Sequence, residues 1–439
     1  MPNAPLFRPA RPWTPNRFRA LLRSRGPTSV RFRRRIAILA GAIAIGITAV
    51  LFAQAADFAG ERFARFAQRW HWLPLLTTPL GFAALVWLTR RYAPLARGSG
   101  IPQVIAAAER PGLGTHGLIA GVTVAWKAVL TLGAILCGAS VGREGPTVQI
   151  AAAVMLAAHR IMRVPLRASV VVASGAAGVA AAFNTPLAGV LFAIEELAAA
   201  YEQRVTLLVL SAIVIAGMVA QSVSGNYVYF GAIGASIPLG TALAAVPLAG
   251  LLGGFAGGGF SRAVLAVAVG DHAITRWSRR RPIMFAALCG GVVAVLGVFT
   301  GLTWGRGYAP ARAMIVGVDA PLWFGPAKLL ATLATAVAGL PGGIFAPSLA
   351  VGAGVGNLLR FVFPGEPASA IVILGMTAYF AGVVRAPLTA VIILSETTAS
   401  RSLLLPMFAV AFIADWASTQ VCRDKLYHGL SRGFLTAAR

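Results

Sequence analysis

The chain has 439 residues, of which 58% are hydrophobic and only 12% charged, with a mean hydropathy of +0.77. A soluble protein could not cover so much apolar surface, so the composition excludes a soluble globular fold and describes a polytopic membrane protein. The net charge of +25, from 38 basic and 13 acidic residues, comes largely from arginine.

In chain order, residues 1–35 come first, with Arg8, Arg11, Arg17, Arg19, Arg23, Arg25, Arg31 and Arg33 to Arg35 and no acid before Asp57. We expect a disordered basic tail, held in the cytosol by the positive-inside rule. A nucleic-acid-binding arm or a transit peptide would share this composition. Pro2, Pro5, Pro9, Pro12 and Pro15 oppose the amphipathic helix of a transit peptide, and no nucleic-acid partner is expected. No short apolar core precedes Ile36, which argues against a cleaved signal peptide.

From Ile36 almost to the end, apolar stretches of roughly 17 to 25 residues recur, enough for about a dozen or more membrane helices, several too short or too Gly/Pro-interrupted to span alone. They predict a membrane domain over residues 36–430, divided near residue 235, with a short cytosolic tail at 431–439. Arg276 to Pro282 (RWSRRRP) reads as a cytosolic loop between the halves, and Lys425, Arg432 and Arg439 place the C-terminus on the same side. Nothing after Leu430 is long enough to fold, and no soluble regulatory domain is expected. Alternating polarity of the β-barrel kind is absent, while the glycines from Gly253 to Gly259 suit closely packed helices. The fold class is all-α.

The halves repeat. Gly142-Arg143-Glu144-Gly145-Pro146 and Gly343-Ile344-Phe345-Ala346-Pro347 lie 201 residues apart, and the same offset carries Pro186-Leu187 onto Pro387-Leu388 and Glu195 onto Glu396. Four anchors at one offset predict a duplicated membrane unit whose halves meet around a common site, the architecture of a transporter or channel. Glu144 corresponds to Phe345 and Glu196 to Thr397, so that site is asymmetric. Gly98-Ser99-Gly100-Ile101-Pro102 shares the construction of the two repeated motifs: glycine permits a sharp turn and proline then starts a helix. Each segment offers exposed N–H groups at a positive helix end, and several such ends together form an anion site that needs no buried cation.

GSGIP, GREGP and GGIFAP, in this order, resemble the three motifs of the CLC family of chloride channels and proton-coupled chloride transporters. Support extends through Ala181 to Gly189, Ile194-Glu195-Glu196, Arg385-Ala386-Pro387-Leu388 and Lys425-Leu426-Tyr427. The resemblance implies an inverted-repeat fold of many tilted, partly re-entrant helices. It implies a central chloride held by the hydroxyls of Ser99 and Tyr427 and the backbone N–H groups of Ile344 and Phe345, and an external anion site on the backbone of Arg143 and Gly145. Glu144 would be the gate that couples proton and anion movement, and Glu196 the internal proton-transfer residue. The implied activity is voltage-independent exchange of chloride for protons, with no cofactor and no metal. The implied assembly is a homodimer with one pathway per subunit in a bacterial-type plasma membrane. A passive chloride channel on the same fold is the alternative, disfavoured because channels of the family generally lack an acid at the second glutamate position. Fluoride selectivity is disfavoured by Ser99 and Tyr427.

The few acids are informative one by one. Glu144, Glu195, Glu196, Glu396 and Asp415 fall within or at the ends of apolar segments, where an ionisable group is costly. The repeat preserves Glu195 and Glu396, which suggests helix-end or interhelical hydrogen bonding; Asp415 has no evident role. Lys127 reads as a buried paired charge, with no acid in Gln103-Val104-Ile105 to serve it. His428 reads as a solvated helix-end histidine or a sensor of cytosolic pH.

Other matches carry less. Gly138-Ala139-Ser140-Val141-Gly142 fits the hydrolase pattern G-x-S-x-G, which needs a strand-to-helix elbow and partner His and acid. An intramembrane serine hydrolase using Ser140 is the rival from another class. Gly352, Gly354 and Gly356 read as close helix packing, not a dinucleotide loop. His71, His116, His159, His272 and His428 show no ligand spacing; Cys137, Cys289 and Cys422 indicate neither disulfides nor zinc. No P-loop supports an ATP-driven pump.

Overall fold

The computed structural model describes residues 27–110, 112, 117–197, 207–225 and 228–436. Residues 1–26 of the basic tail, His116 and residues 437–439 lie outside the described residues. Helix α1 spans Pro27–Arg69, so Arg31 and Arg33 to Arg35 belong to a membrane helix rather than to a tail. The first repeat continues with α2 (Pro74–Tyr92), α3 (Ile101–Glu109), α4 (Gly121–Leu136), α5 (Glu144–Ile161), α6 (Ala168–Phe183), α7 (Pro186–Phe192) and α8 (Leu207–Ser224). The second comprises α9 (Leu239–Ala268), α10 (Ala273–Arg280), α11 (Pro282–Thr300), α12 (Tyr308–Ile315), α13 (Phe324–Val337), α14 (Phe345–Arg360), α15 (Ala368–Val384), α16 (Pro387–Thr398) and α17 (Leu404–Val421), and α18 (Leu426–Thr436) follows.

Only four described helices are long and apolar enough to cross a membrane unaided: Ser29–Arg69 within α1, and α9, α11 and α17. Six apolar helices are shorter, including α4, α6 and α15. Their broken ends are tolerated at membrane depth only because other protein surrounds them. α6, α14 and α15 accordingly form the most buried part of the molecule.

Two sequence boundaries shift. RWSRRRP is no loop, since its residues Arg276 to Arg280 close α10 and Pro282 starts α11. The chain also stays folded beyond Leu430, where α18 runs to Thr436 and buries Ser431 and Phe434, the latter beneath Arg97 at 5.1 Å. The apolar face made by Leu426, Tyr427, Leu430 and Phe434 recurs at helical spacing, and that face docks on α3 and α9.

Glycine sets how closely the layers approach. A Cβ at Gly253 would stand 2.7 Å from the Tyr379 backbone nitrogen, and one at Gly258 2.9 Å from the Ser418 carbonyl, so α9 packs on α15 and α17 with almost no side chain between. Gly352, Gly354 and Gly356 press α14 on α15 and α13 in the same way, as helix packing rather than a nucleotide loop.

The repeat is visible as a local two-fold. α4 to α7 correspond in order to α13 to α16, and the C-caps Asn184 and Arg385 both adopt left-handed φ, 61° and 57°. At the junction, equivalent glycines pair antiparallel: Gly142 N–H donates to Gly343 O at 2.7 Å, and Gly343 N–H to Gly142 O at 2.8 Å. Two equivalent segments paired antiparallel are related by a two-fold between them, which makes the repeats inverted. Glu195 and Glu396 reciprocate across the same axis. Glu195 accepts from the N–H of Leu388 at 3.0 Å and of Thr389 at 2.6 Å, at the start of α16; Glu396 accepts from Leu187 at 3.3 Å and Ala188 at 2.9 Å, at the start of α7. Each carboxylate caps the other repeat's helix, where orphan N–H groups favour an anion.

Charge-assisted bonds of this kind contribute about 1.5–3 kcal/mol. Replacing either glutamate by Ala should therefore lower the thermal midpoint of the detergent-purified protein. The double replacement should lower it further, the two caps lying at different helix ends. An unchanged midpoint in both single variants would remove the capping role.

Candidate functional site

The three glycine-rich segments converge on one point. Gly342 N–H donates to Gly98 O at 3.1 Å, adding the GSGIP turn to the Gly142–Gly343 pair, so backbone hydrogen bonds tie all three turns together. From this knot α3, α5 and α14 lead away, each preceded by a glycine-containing turn; Gly100, with φ 112°, adopts a conformation that disfavours any side chain. α14 begins at Phe345 and α5 at Glu144, leaving the N–H groups of Ile344, Phe345, Arg143 and Gly145 at free helix ends.

Cavities flank the knot. The first, of about 430 Å³, is lined by Ser99, Ile344 and Tyr427, with Arg97 and Arg279 toward its mouth. The second, of about 990 Å³, is lined by Asp57, Arg143, Arg306 and Tyr308. Glu144 is buried and lines neither, and its Oε2 lies against Gly142, where a Cβ would strike it. It thus sits on the partition between the cavities.

Three polar atoms at the inner end of the first cavity and in the partition lack protein partners. Ser99 Oγ, Tyr427 Oη and Glu144 Oε2 are buried and make no hydrogen bond of good geometry, the Ser99 and Tyr427 hydroxyls lying near one another. An unbonded buried donor or acceptor costs about 1–3 kcal/mol, so three together mark a place built for a polar guest. Rings hold Tyr427 in position, since Phe345 packs on it at 5.9 Å and in turn contacts Phe380 at 5.1 Å and Phe192 at 5.8 Å. Gly145 completes the partition, because a Cβ there would come 2.8 Å from Ser99 O and 3.1 Å from Gly343 Cα.

Cations stand around the knot but are neutralised or turned away. Lys127 is fully buried, yet its partner is not an acid: Nζ donates to Ala96 O at 2.7 Å and Gly98 O at 2.6 Å. Gln103 takes two more carbonyls of that loop, Arg97 O at 2.6 Å and Leu95 O at 3.2 Å, and its Oε1 accepts from Gly100 N–H. The carbonyl oxygens preceding Ser99 are thereby occupied. Lys328, at the repeat position of Lys127, does the same in the second half, donating to Thr303 O at 2.8 Å and Gly305 O at 2.6 Å. The loop it holds presents Arg306. Asp57 bonds both Arg306 and Arg143, the latter at 2.8 Å, and Arg143 also donates to Ala53 O.

Glu196 lies apart from both cavities. The turn Ala193–Leu197, a π-helical widening after α7, buries it against the start of α18, where His428 Nδ1 is 3.2 Å from Oε1 and Lys425 Nζ 3.6 Å from Oε2. His428 is therefore not a solvated helix-end residue. Arg385 anchors this end of α18 by bonding Asp415 at 3.2 Å and the carbonyls of Cys422 and Arg423, which gives Asp415 a partner. Ser140 Oγ pairs with Thr332 Oγ1 at 2.9 Å and its N–H with Thr335, an arrangement without a general base.

The structure thus brings Ser99, Ile344, Phe345, Tyr427, Arg143, Gly145 and Glu144 together and leaves Glu196 to one side. Sequence reasoning missed Asp57, Arg306, Lys328 and the pairing of Glu196 with His428. Lys328 was detectable, because it stands at the repeat offset from Lys127; Asp57 was detectable as an acid inside a long apolar helix.

An inverted-repeat helical membrane domain, with helix ends and unbonded hydroxyls meeting between two cavities, is the construction of an ion-transport protein. The chain belongs to the voltage gated chloride channel family, known as CLC, whose family model matches residues 80–419. Among solved structures it resembles a slow cyanobacterial Cl−/H+ antiporter, with 22% identity, a TM-score of 0.77 and coverage of 92% of this chain and 98% of the other. It resembles a CLC-type fluoride/proton antiporter at 21% identity and TM-score 0.75, covering 94% and 98%. A eukaryotic CLC transporter matches at 22% identity and TM-score 0.73, covering 92% of this chain and 75% of that one.

Proposed function

We propose that this protein exchanges chloride for protons, independently of voltage, across a bacterial-type plasma membrane. Both termini and the first cavity would face the cytosol, and the protein would act as a homodimer with a complete pathway in each subunit. The observation that carries this reading is the set of buried, unbonded oxygens on Ser99, Tyr427 and Glu144 at the partition between the cavities. Chloride bound at the first cavity takes the two hydroxyls and the N–H groups of Ile344 and Phe345, neutral donors that suit a dehydrated but mobile anion. Beyond the partition, the backbone of Arg143 and Gly145 forms the external anion site. Glu144, a carboxylate tethered beside those helix ends, competes with the anion when ionised and yields to it when protonated, so one side chain couples the two ions.

The cytosolic assignment rests on the arginines of α10, with Arg279 at the mouth of the first cavity, and of the start of α1. Arg35 and Asp57 are 22 residues apart along α1, about 33 Å at the helical rise. Asp57 therefore falls about one hydrocarbon thickness from the arginines, on the external side.

Exchange is favoured over passive conduction by Glu196, a second buried carboxylate away from the anion route, and agrees with the antiporter descriptions of two fold relatives. Chloride is favoured over fluoride by the hydroxyls of Ser99 and Tyr427. The bonding of Ser140 to threonines offers nothing to a hydrolase.

In liposomes with simultaneous chloride and pH recording, Glu144→Gln should move chloride without chloride-driven proton uptake, because the variant loses both the competing anion and the proton carrier. Glu196→Gln should also lose proton transport, but its chloride flux should still depend on external pH through Glu144. Intact proton pumping in the first variant would overturn the gate.

The hydroxyls contribute about 0.5–1.5 kcal/mol each as neutral donors. Ser99→Ala combined with Tyr427→Phe should therefore weaken chloride binding by roughly ten- to a hundredfold in calorimetry, with the fold intact. Unchanged affinity would show that they are not ligands.

A further inference from the structure

The two cavities differ in charge. Arg90, Arg97 and Arg279, all exposed, line the first, and among the described residues no acid lines it. Arg97 rests over the Phe434 ring and meets Arg90 and Arg279 as like charges, while Arg279 donates to Gly270 O at 3.2 Å. Nothing compensates this mouth. The second cavity is lined by Asp57 and Glu61 as well as by Arg143 and Arg306. Glu61 forms an exposed pair with Arg65 at 3.8 Å, a contact worth little, so the acid inside the arginine cluster is Asp57.

Asp57 joins three segments: α1, the turn before α5 that carries Arg143, and the loop of Arg306, which Lys328 holds by Thr303 O and Gly305 O. Its position in the cluster is outermost. The Asp57 side chain keeps 44% of its exposure, against 21% for Arg306 and 4% for Arg143, so the carboxylate faces the cavity more openly than either guanidinium it pairs.

We propose that Asp57 keeps the outer mouth from collecting anions, so that the two mouths draw chloride unequally. The inference rests on the chloride-exchange reading and on its assignment of the second cavity to the outside. An anion approaching Arg143 and Arg306 meets a carboxylate that cancels one of their charges, whereas at the first cavity it meets three cations. The local concentration of an anion follows the potential at the mouth, so the cytosolic mouth fills at lower chloride. Neutralising Asp57 unmasks a positive charge beside the external site without adding a ligand. The same charge acts on Glu144, which lies within electrostatic reach of Arg306. An ionised Glu144 is drawn by it as chloride is, and the two effects oppose one another in the intact protein.

The test is chloride flux in oriented proteoliposomes, with chloride varied on one face at a time and Glu144→Gln as the parent, which removes the competing carboxylate. Asp57→Asn should lower the half-saturating external chloride by roughly fivefold, the attraction of one charge at about 4 Å in a water-like medium, and leave the cytosolic value unchanged. Arg306→Gln should raise it by a similar factor, whereas Arg306→Lys, which keeps the charge but not the planar fork, should stay near the parent. Both shifts should fade in about 1 M impermeant salt, where the screening length is about 3 Å; a change of shape would persist. With Glu144 restored, the same ordering should appear with smaller shifts. Shifts in one direction for Asp57→Asn and Arg306→Gln alike, or no shift on either face, would overturn the proposal. If Asp57→Asn does not fold, the Arg306 pair decides: a rise in the Gln variant alone supports the charge role, and equal values in Gln and Lys sink it. Matching shifts confined to the cytosolic face would reverse the assignment of faces and leave the role of Asp57 standing. Absent chloride flux in the wild-type protein defeats the exchange reading, whereas normal flux with unshifted variants defeats only the inference about Asp57.

Discussion

The backbone pairing of Gly142 with Gly343, extended by Gly342 to Gly98, is the interaction on which the rest of the structure depends. Chain that leaves helical geometry at membrane depth exposes N–H and C=O groups costing several kilocalories each if unpaired. Here three irregular turns satisfy one another. Only glycine allows the approach, as a Cβ on Gly343 would come 2.8 Å from Gly145 N. Once the turns are joined, the directions of α3, α5 and α14 are fixed, and their positive ends have nowhere to point but the partition between the cavities.

The two-fold that organises this knot supplies scaffolding in matched pairs and chemistry in unmatched ones. Lys127 and Lys328 gather carbonyls, Glu195 and Glu396 cap helices, and Asn184 and Arg385 turn the chain in the left-handed region. These positions serve any inverted repeat, whatever it carries. Against them stand Glu144 opposite Phe345, Arg143 opposite Ile344 and Glu196 opposite Thr397. A symmetric site would bind the same guest equally from both sides; instead one cavity is lined by the hydroxyls of Ser99 and Tyr427 and the other by the arginines that Asp57 pairs.

Much of this was legible in the residues. The single offset exposed the duplication, and glycine before proline located the three helix starts, because both features are local properties of the backbone. Tertiary contacts were not legible. Nothing in the spacing of Lys425, His428 and Glu196 indicates that they touch, since the contact joins elements more than 200 positions apart through the widened turn after α7. Lys127 was misread as half of an ion pair because a buried lysine was expected to need an acid, whereas a ring of carbonyls solvates it as well. The tail boundaries shifted for a related reason: α1 and α18 gain stability from packing, which composition does not register.

The placement of the cations also bears on speed. At 4 Å and an effective dielectric near 20, a unit charge attracts an anion by about 4 kcal/mol, which lengthens its residence by roughly a thousandfold relative to an uncharged site. A neutral hydroxyl contributes about 1 kcal/mol. Lys127 and Lys328 are turned onto carbonyl oxygens, Arg143 and Arg306 share Asp57, and Arg97 and Arg279, which also line the first cavity, are exposed, so among the described residues no fully buried cation is left without such partners. The positive charge remains close enough to make the knot attractive to anions without any one group gripping them. A site assembled this way favours passage over storage.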